Sequence, residues 1–189
     1  MLNGLEVVAM NPNNISDRLW LCWGHLDKWR DSQIVHRSKE WLSKVNAVFV
    51  PTTFIAYKNA LPVGMIDFTP QRLMRQLGLC SCRIDVEQGE TESRYILGNE
   101  FDNYLFISCL SVAKDHQRKG IGKTLLNHFL ESQVLKESSS ALVYARERDQ
   151  TWEKFIHWPA GSEELYFKAG FSTAKTLERP SGHILLYKK

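Results

Sequence analysis

The sequence contains no long hydrophobic run and no apparent export signal. No segment of its 189 residues approaches 18 consecutive apolar residues, and the opening MLNGLEVVAMNPNN lacks a basic stretch followed by an apolar one. The first absence argues against a membrane-spanning helix, and the second argues against a secretory signal peptide. We therefore expect a soluble cytoplasmic protein that has no membrane partner.

The sequence is also poor in cysteine and in metal-binding patterns. Its four cysteines (Cys22, Cys80, Cys82 and Cys109) form no CxxC pair, and its six histidines form no HxxxH or HExxH pattern. A structural zinc site normally needs two such ligand pairs at regular spacing. We predict reduced thiols and no metal site.

Neither sign of charge dominates the sequence. Its 24 lysines and arginines against 21 acidic residues give a net charge of +3, whereas nucleic-acid-binding surfaces are usually strongly basic. We therefore predict no nucleic-acid partner. The hydrophobic fraction of 43% and the length suit one globular domain over residues 1–189.

Hydrophobic periodicity predicts alternating strands and helices in the first half of the chain. The predicted elements are a strand at 5–10, helices from about 16 and over about 32–45, and a hairpin of strands at 52–57 and 61–68. An irregular insertion follows at about 69–103, and its second half is rich in Asp and Glu.

The second half of the chain contains a strand-helix-strand pattern. Residues 104–112, YLFISCLSV, are apolar on both alternating faces, which predicts an interior strand. Apolar residues at helical spacing predict a helix over about 119–136, and a strand follows at 141–145. The two strands should be parallel. Two further strands are predicted at about 172–177 and 183–187, which gives an α/β (α+β) protein.

The turn between that strand and helix has the composition of an anion site. The stretch DHQRKGIGKTLL places Gly120 and Gly122 where the helix begins, with Arg118, Lys119 and Lys123 around them. Glycines allow close approach of a ligand to the backbone, and a helix N-terminus attracts anions. The pattern therefore indicates a phosphate or pyrophosphate ligand.

Known anion-binding patterns distinguish the possible ligands. The P-loop pattern GxxxxGK[ST] is absent, and the dinucleotide pattern GxGxxG would need glycine at Leu125. Gln117 to Gly122 fits Q/R-x-x-G-x-G/A and resembles the acetyl-CoA pyrophosphate loop of the GNAT superfamily of N-acetyltransferases. SEELYFKAGF, residues 162–171, resembles the family's second signature, Tyr-x-x-x-Gly-Phe. Gly170 would cap its helix.

The resemblance implies the GNAT fold, a mixed sheet of about seven strands with about four helices. The parallel strands 4 and 5 of this fold splay apart, and backbone groups on strand 4 pair with the pantetheine arm of acetyl-CoA. In the family, a backbone N–H near residue 110 would stabilise the oxyanion, and Tyr166 would protonate the departing sulfur. The residues implied to bind acetyl-CoA are Leu110, Ser111, Val112, Gln117, Arg118, Lys119, Gly120, Ile121, Gly122, Lys123 and Thr124.

The general base is harder to place. The strand position where the family's glutamate can occur corresponds to Tyr104, so the nearest acids are Asp102, Glu100 and Asp67. Asp102 is the candidate, and a base acting through water remains an alternative. Cys109 could be a nucleophile, but a small buried residue of an interior strand is the preferred interpretation.

The implied function is transfer of an acetyl or short acyl group from acetyl-CoA to a primary amine, by direct attack in a ternary complex. The acceptor could be a small molecule or a peptidyl amine, and the acidic segment 84–103 favours a cationic one. A non-catalytic acyl-CoA sensor is the alternative function. The segment 146–161, in which Pro159 replaces the family's usual asparagine, could line an acceptor pocket. Both monomer and homodimer remain open.

Overall fold

The computed structural model describes residues 4–23, 32–77, 98–138, 140–146, 161–177 and 182–188. The strands in these ranges are β1 (Leu5–Ala9), β2 (Thr53–Lys58), β3 (Leu61–Pro70), β4 (Leu105–Val112), β5 (Ser140–Arg146), β6 (Ser172–Leu177) and β7 (Gly182–Lys188). The helices are α1 (Ile15–Trp23), α2 (Ser32–Asn46), α3 (Gln71–Leu77), α4 (Ile121–Glu131), α5 (Gln133–Ser138) and α6 (Glu163–Phe167). None of these helices is long and apolar enough to cross a membrane.

All seven strands form one sheet in the order β1-β2-β3-β4-β5-β7-β6. β4 and β5 are parallel, and every other neighbouring pair is antiparallel. The parallel pair is connected through α4 and α5, as a strand-helix-strand unit requires. The structure confirms the predicted mixed sheet of seven strands, and the helices number somewhat more than predicted.

The described residues form three hydrophobic clusters, and the two largest lie on opposite faces of the sheet. Successive residues of a strand face opposite sides of the sheet, so Met65 and Ile66 of β3 belong to different cores. α4 covers one face, where Leu125 and Phe129 are fully buried against the core that contains Ile66. α1 and α2 contribute to the other core, with residues such as Leu19 packed in the cluster that contains Met65.

The helix predicted over about 119–136 is two helices in the structure. Ser132 between them has extended backbone angles, with φ −65° and ψ 153°. Its hydroxyl donates to the Phe129 carbonyl at 2.6 Å and accepts from the Leu135 N–H at 3.4 Å. The serine thus ends α4 and caps α5. The apolar spacing continues across this break, so periodicity alone does not reveal it.

The insertion predicted as irregular at 69–103 is regular at its two described ends. β3 continues to Pro70 and is followed directly by α3, while Asn99–Phe101 form a 3₁₀ turn. Leu73 and Met74 of α3 are buried, which explains why this short helix packs on the sheet. Residues 78–97, with most of the acidic stretch, lie outside the described residues.

Candidate active site

β4 and β5 pair only at their beginnings and then diverge. Their Cα partners are Leu105 with Ala141, Phe106 with Leu142, and Ile107 with Val143. Beyond this point, β4 continues to Val112 alongside β3, and β5 continues to Arg146 alongside β7. The carboxyl-terminal halves of the two parallel strands therefore enclose a cleft, which agrees with the predicted splay.

A β-bulge lies where the divergence begins. Asp67 of β3 is opposite Cys109, but the next residue, Phe68, is opposite Ile107, so Ser108 is an extra residue in β4. A bulge bends the strand that carries it and increases its local twist. Because Ser108 follows the last residue paired with β5, the bulge turns the rest of β4 away from β5.

The peptide groups of β4 alternate between β3 and the cleft. The Ala113 N–H donates to the Val63 carbonyl at 2.9 Å, which makes these two residues a hydrogen-bonded pair of the antiparallel ladder. Every second residue of such a ladder faces the partner strand. The peptide groups of Ser111 therefore face β3, whereas those of Leu110 and Val112 face the cleft. The predicted backbone contacts to a ligand fit Leu110 and Val112 but not Ser111.

Ser111 has a different contact. Its hydroxyl donates to the carbonyl of Leu21, near the end of α1, at 3.4 Å. The last carbonyl groups of a helix have no partner within the helix. Ser111 thus connects α1 to β4 beside the cleft.

The glycine-containing loop leads from β4 into α4. Lys114–His116 form a 3₁₀ turn, after which Arg118 has φ +59° and Gly120 has φ +83°. α4 begins at Ile121, and no side chain caps its first turn. A helix N-terminus without a side-chain cap presents backbone N–H groups to an anion, and this end of α4 is continuous with the mouth of the cleft.

The polar side chains of the loop have two arrangements. Gln117, Lys119 and Thr124 donate to backbone carbonyls within the loop or at the end of β4, at 3.0, 2.8 and 3.3 Å. Arg118 and Lys123 are exposed side chains. The first three therefore shape the loop, while the latter two supply positive charge at its surface.

Gly122 leaves room at the start of α4. A Cβ atom there would lie 3.8 Å from Val112 Cγ2 and 4.0 Å from Leu165 Cδ2, which are ordinary contact distances. The fold itself would therefore accept alanine at this position. The space lies between the end of β4 and α6, where a ligand entering the cleft would pass.

Tyr166 of α6 is completely buried in the core on the α4 side of the sheet. Its ring makes an edge contact with Phe171, with the ring centres 5.2 Å apart. Burial raises the pKa of Tyr166 well above its usual value, and the nearby Cys109 thiol raises the pKa further. The phenol therefore keeps its proton at neutral pH. Gly170, with φ +92°, follows the helix as the expected cap.

Asp102, the candidate base, is placed elsewhere. Its carboxylate forms an ion pair with Arg75 of α3, and it precedes Leu105, the first residue of β4. The five residue-to-residue steps from Leu105 to Leu110 span about 17 Å of strand. Asp102 therefore lies at the opposite end of β4 from the cleft, and this placement does not support its predicted role as the base.

The other two acids considered for this role are no better placed. Glu100 is exposed in the 3₁₀ turn beside Asp102. Asp67 is buried, and its two carboxylate oxygens accept from Arg18 at 2.5 Å and from Thr53 at 2.6 Å. Residues 147–160, which include Pro159 and most of the predicted pocket wall, lie outside the described residues. Within the described ranges no three His, Cys, Asp or Glu side chains are grouped so as to hold a metal ion.

A family model for the acetyltransferase (GNAT) domain matches residues 51–173. The protein belongs to this family. The matched range contains the diverging strands, the glycine loop and Tyr166, so the features that form the cleft are those that the family model spans. The protein is accordingly an acetyltransferase of the GNAT type, as its sequence motifs predict.

Solved structures show the same fold at low sequence identity. The PaiA N-acetyltransferase of Thermoplasma acidophilum, in complex with coenzyme A, is 13% identical with a TM-score of 0.58, over 98% of this chain and 99% of that chain. Arabidopsis thaliana Naa50, in complex with the bisubstrate analogue CoA-Ac-MVNAL, is 16% identical with a TM-score of 0.56, over 98% and 99%.

The chain also matches part of a longer protein from Pyrococcus horikoshii. The identity is 16% and the TM-score 0.54, and the match covers 92% of this chain but 45% of that chain. A search of curated proteins found no match.

Proposed function

We propose that the protein transfers an acetyl group from acetyl-CoA to a primary amine by direct attack in a ternary complex. The observation that carries the proposal is the cleft between β4 and β5, into which the peptide groups of Leu110 and Val112 point. An extended ligand can add to such an edge as a strand does, through main-chain hydrogen bonds. Pantetheine, which contains two amides in an extended chain, has the groups that this edge requires.

The donor would lie across the mouth of the cleft. Its pyrophosphate would accept from the N–H groups of the loop and the first turn of α4, with Arg118 and Lys123 adding positive charge. Its pantetheine arm would pass Gly122, where the missing side chain leaves space between Val112 and Leu165. The residues proposed to form this site are Leu110, Val112, Gln117, Arg118, Lys119, Gly120, Ile121, Gly122, Lys123 and Thr124.

The reaction forms one C–N bond and breaks one C–S bond. The amine nitrogen attacks the thioester carbonyl, and the negative charge on the carbonyl oxygen is stabilised by a backbone N–H, for which Leu110 faces the right way. The C–S bond then breaks, and the Tyr166 hydroxyl gives its proton to the departing thiolate. The high pKa of this buried phenol keeps the proton available at neutral pH.

The proton released by the amine must leave by another route. An amine with a pKa near 10 is largely protonated at pH 7, so a proton acceptor is needed before attack. With Asp102 at the far end of β4 and both oxygens of Asp67 occupied, we propose that water carries this proton out of the cleft.

The acceptor is proposed to be a primary amine of a small cationic molecule or of a peptide. The acidic residues of segment 84–103 would attract a cation. The Arabidopsis thaliana Naa50 structure, which shares the fold, contains coenzyme A joined through an acetyl group to the peptide MVNAL. This supports testing peptide amines, as well as small cationic amines, as acceptors.

The test is release of the coenzyme A thiol in the presence of a panel of amines. The panel should contain polyamines, aminoglycosides and peptides with free N-termini or lysines, each with acetyl-CoA. Turnover with any of them supports the proposal. A thermal shift with acetyl-CoA but no thiol release with any amine would instead favour an acyl-CoA sensor. No thermal shift with saturating acetyl-CoA would overturn both functions.

A further inference from the structure

The buried ion pair between Arg18 of α1 and Asp67 of β3 has no part in the proposed chemistry. Nη2 of Arg18 lies 2.5 Å from Oδ2 of Asp67, and the two side chains are 1% and 5% exposed. Thr53 of β2 donates its hydroxyl to the other oxygen of the carboxylate at 2.6 Å. The pair therefore joins a helix and two strands at a place that water does not reach.

Stability alone is a weak reason for such a pair. The free energy needed to remove two charges from water offsets most of their attraction, and well-packed apolar residues often replace a buried ion pair without loss of stability. In some proteins a buried pair instead defines one arrangement of the elements around it. The surroundings of Asp67 indicate which arrangement this pair defines.

Asp67 lies at the bulge that opens the cleft. It is the Cα partner of Cys109, and the register of β3 and β4 changes directly after it. The hydroxyl of Ser108, the extra residue of the bulge, makes a long contact of 3.5 Å with the Asp67 carbonyl. Leu110, whose peptide groups face the cleft, is two residues beyond Ser108. A shift of Asp67 would therefore move the strand segment that carries the proposed oxyanion donor.

We propose that Arg18 and Asp67 are positioning residues for acyl transfer. The ion pair and the Thr53 hydrogen bond fix Asp67 between α1, β2 and the bulge, and this fixes the direction of the Leu110 N–H. The proposal rests on the proposed function, since it assigns the pair to that reaction. Neither residue needs to touch a substrate, because the effect passes through the backbone of β4.

The test replaces both charges with apolar residues of similar size, in the double variant R18M/D67L. We expect this variant to fold and to keep most of its affinity for acetyl-CoA, because the loop and α4 make most of the proposed contacts and α4 packs on the other face of the sheet. The kcat for the best amine should fall by about a hundredfold, the loss that a displacement of about 1 Å can cause. Amide hydrogen exchange should become faster at Cys109 and Ser111, whose N–H groups face β3, but stay unchanged in α4.

Two further variants make the result decisive. E40Q/K44Q removes an exposed ion pair of α2, with its 2.8 Å contact, and should change neither kcat nor exchange. T53V keeps the ion pair but removes the hydrogen bond to Asp67. It should therefore lower kcat and speed amide exchange in β4, as R18M/D67L does, but to a smaller extent. If R18M/D67L folds, it is the deciding variant. If it does not fold, T53V is the deciding variant.

The proposal is overturned if the deciding variant keeps wild-type kcat and β4 exchange. It is also overturned if exchange becomes faster throughout the molecule, α4 included, since the pair would then serve only stability. If the wild-type protein transfers acetyl to no amine, the proposed function fails. The exchange measurement still tells whether the pair holds the bulge, so the two failures are distinguishable.

Discussion

The side-chain amide of Gln117 donates a hydrogen bond of 3.0 Å to the carbonyl of Val112. Val112 ends β4, and its peptide groups face the cleft rather than β3. Gln117 therefore joins the loop to the edge of the strand along which the pantetheine arm is proposed to lie. Its contribution to binding comes through the shape of the loop.

Replacing Gln117 with alanine should weaken the binding of acetyl-CoA without changing the chemical step. The loss of this one exposed hydrogen bond is worth at most about 1 kcal/mol, which corresponds to no more than roughly a fivefold rise in Kd. Calorimetric titration with acetyl-CoA measures the change. A fall in kcat at saturating acetyl-CoA would contradict this assignment.

Replacing Gly122 with alanine should separate folding from ligand binding. A Cβ atom meets only ordinary contacts there, so the melting temperature should stay the same or rise slightly. The affinity for acetyl-CoA should fall, because the methyl group occupies the space proposed for the ligand. G120A is the comparison: Gly120 has φ +83°, so alanine there should cost about 1 kcal/mol of folding stability. Wild-type affinity in G122A would argue against this path into the cleft.

Replacing Tyr166 with phenylalanine should slow acetyl transfer strongly while leaving acetyl-CoA affinity nearly unchanged. The loss of a general acid typically costs about 10²- to 10⁴-fold in rate. Single-turnover measurement of thiol release, with Kd measured in parallel, gives both values. A variant as active as the wild type would remove Tyr166 from the mechanism.

The same substitution should change the response of the protein to alkaline pH. Because the pKa of Tyr166 is raised in the folded state, its contribution to stability is fully present below its unfolded pKa of about 10 and is lost as the pH rises above it. Between about pH 10 and the raised pKa of the folded state, the buried phenol lowers the free energy of unfolding by about 1.4 kcal/mol for each pH unit. The melting temperature of Y166F should therefore decline less steeply at high pH. Equal slopes for both proteins would show that the phenol ionises freely in the folded state.

Replacing Asp102 with asparagine should leave kcat close to that of the wild type. Its ion pair with Arg75 is partly exposed, and such surface pairs contribute about 0.2–1 kcal/mol, so only a small fall in melting temperature is expected. Steady-state kinetics over a range of pH provides the test. A large loss of kcat together with a changed pH profile would restore Asp102 as a candidate base.

The parts of the site that local sequence specifies could be predicted. Gly120 and Gly170 have the positive φ values that a loop and a helix cap at these positions require, and both occur in short patterns with fixed spacing. The interior position of β4 also follows from local composition, because apolar residues occupy both of its faces. Each of these features depends on residues that are near one another in the chain.

The parts that could not be predicted depend on distant residues. Arg18 and Asp67 are 49 positions apart, and nothing in either segment indicates the pairing. The bulge at Ser108 depends on the register between two strands, and the orientation of the Ser111 peptide groups depends on the same register. The prediction of Asp102 as base rests on its position along the chain, which does not reveal that Arg75 of α3 pairs with it.

The placement of the two largest hydrophobic clusters on opposite faces of the sheet has a consequence for how substitutions combine. Met65 and Ile66 are neighbours in β3 but belong to clusters on opposite faces, one with α1 and α2 and the other with α4. Changes that are more than about 7–10 Å apart and share no partner usually have additive free energies. Substitutions made in different clusters, and away from Phe49, which packs against both, should therefore combine with nearly additive free energies. Stabilising substitutions chosen separately in the α4 layer and in the layer of α1 and α2 could then be merged in one variant, with their contributions to the free energy of unfolding summed.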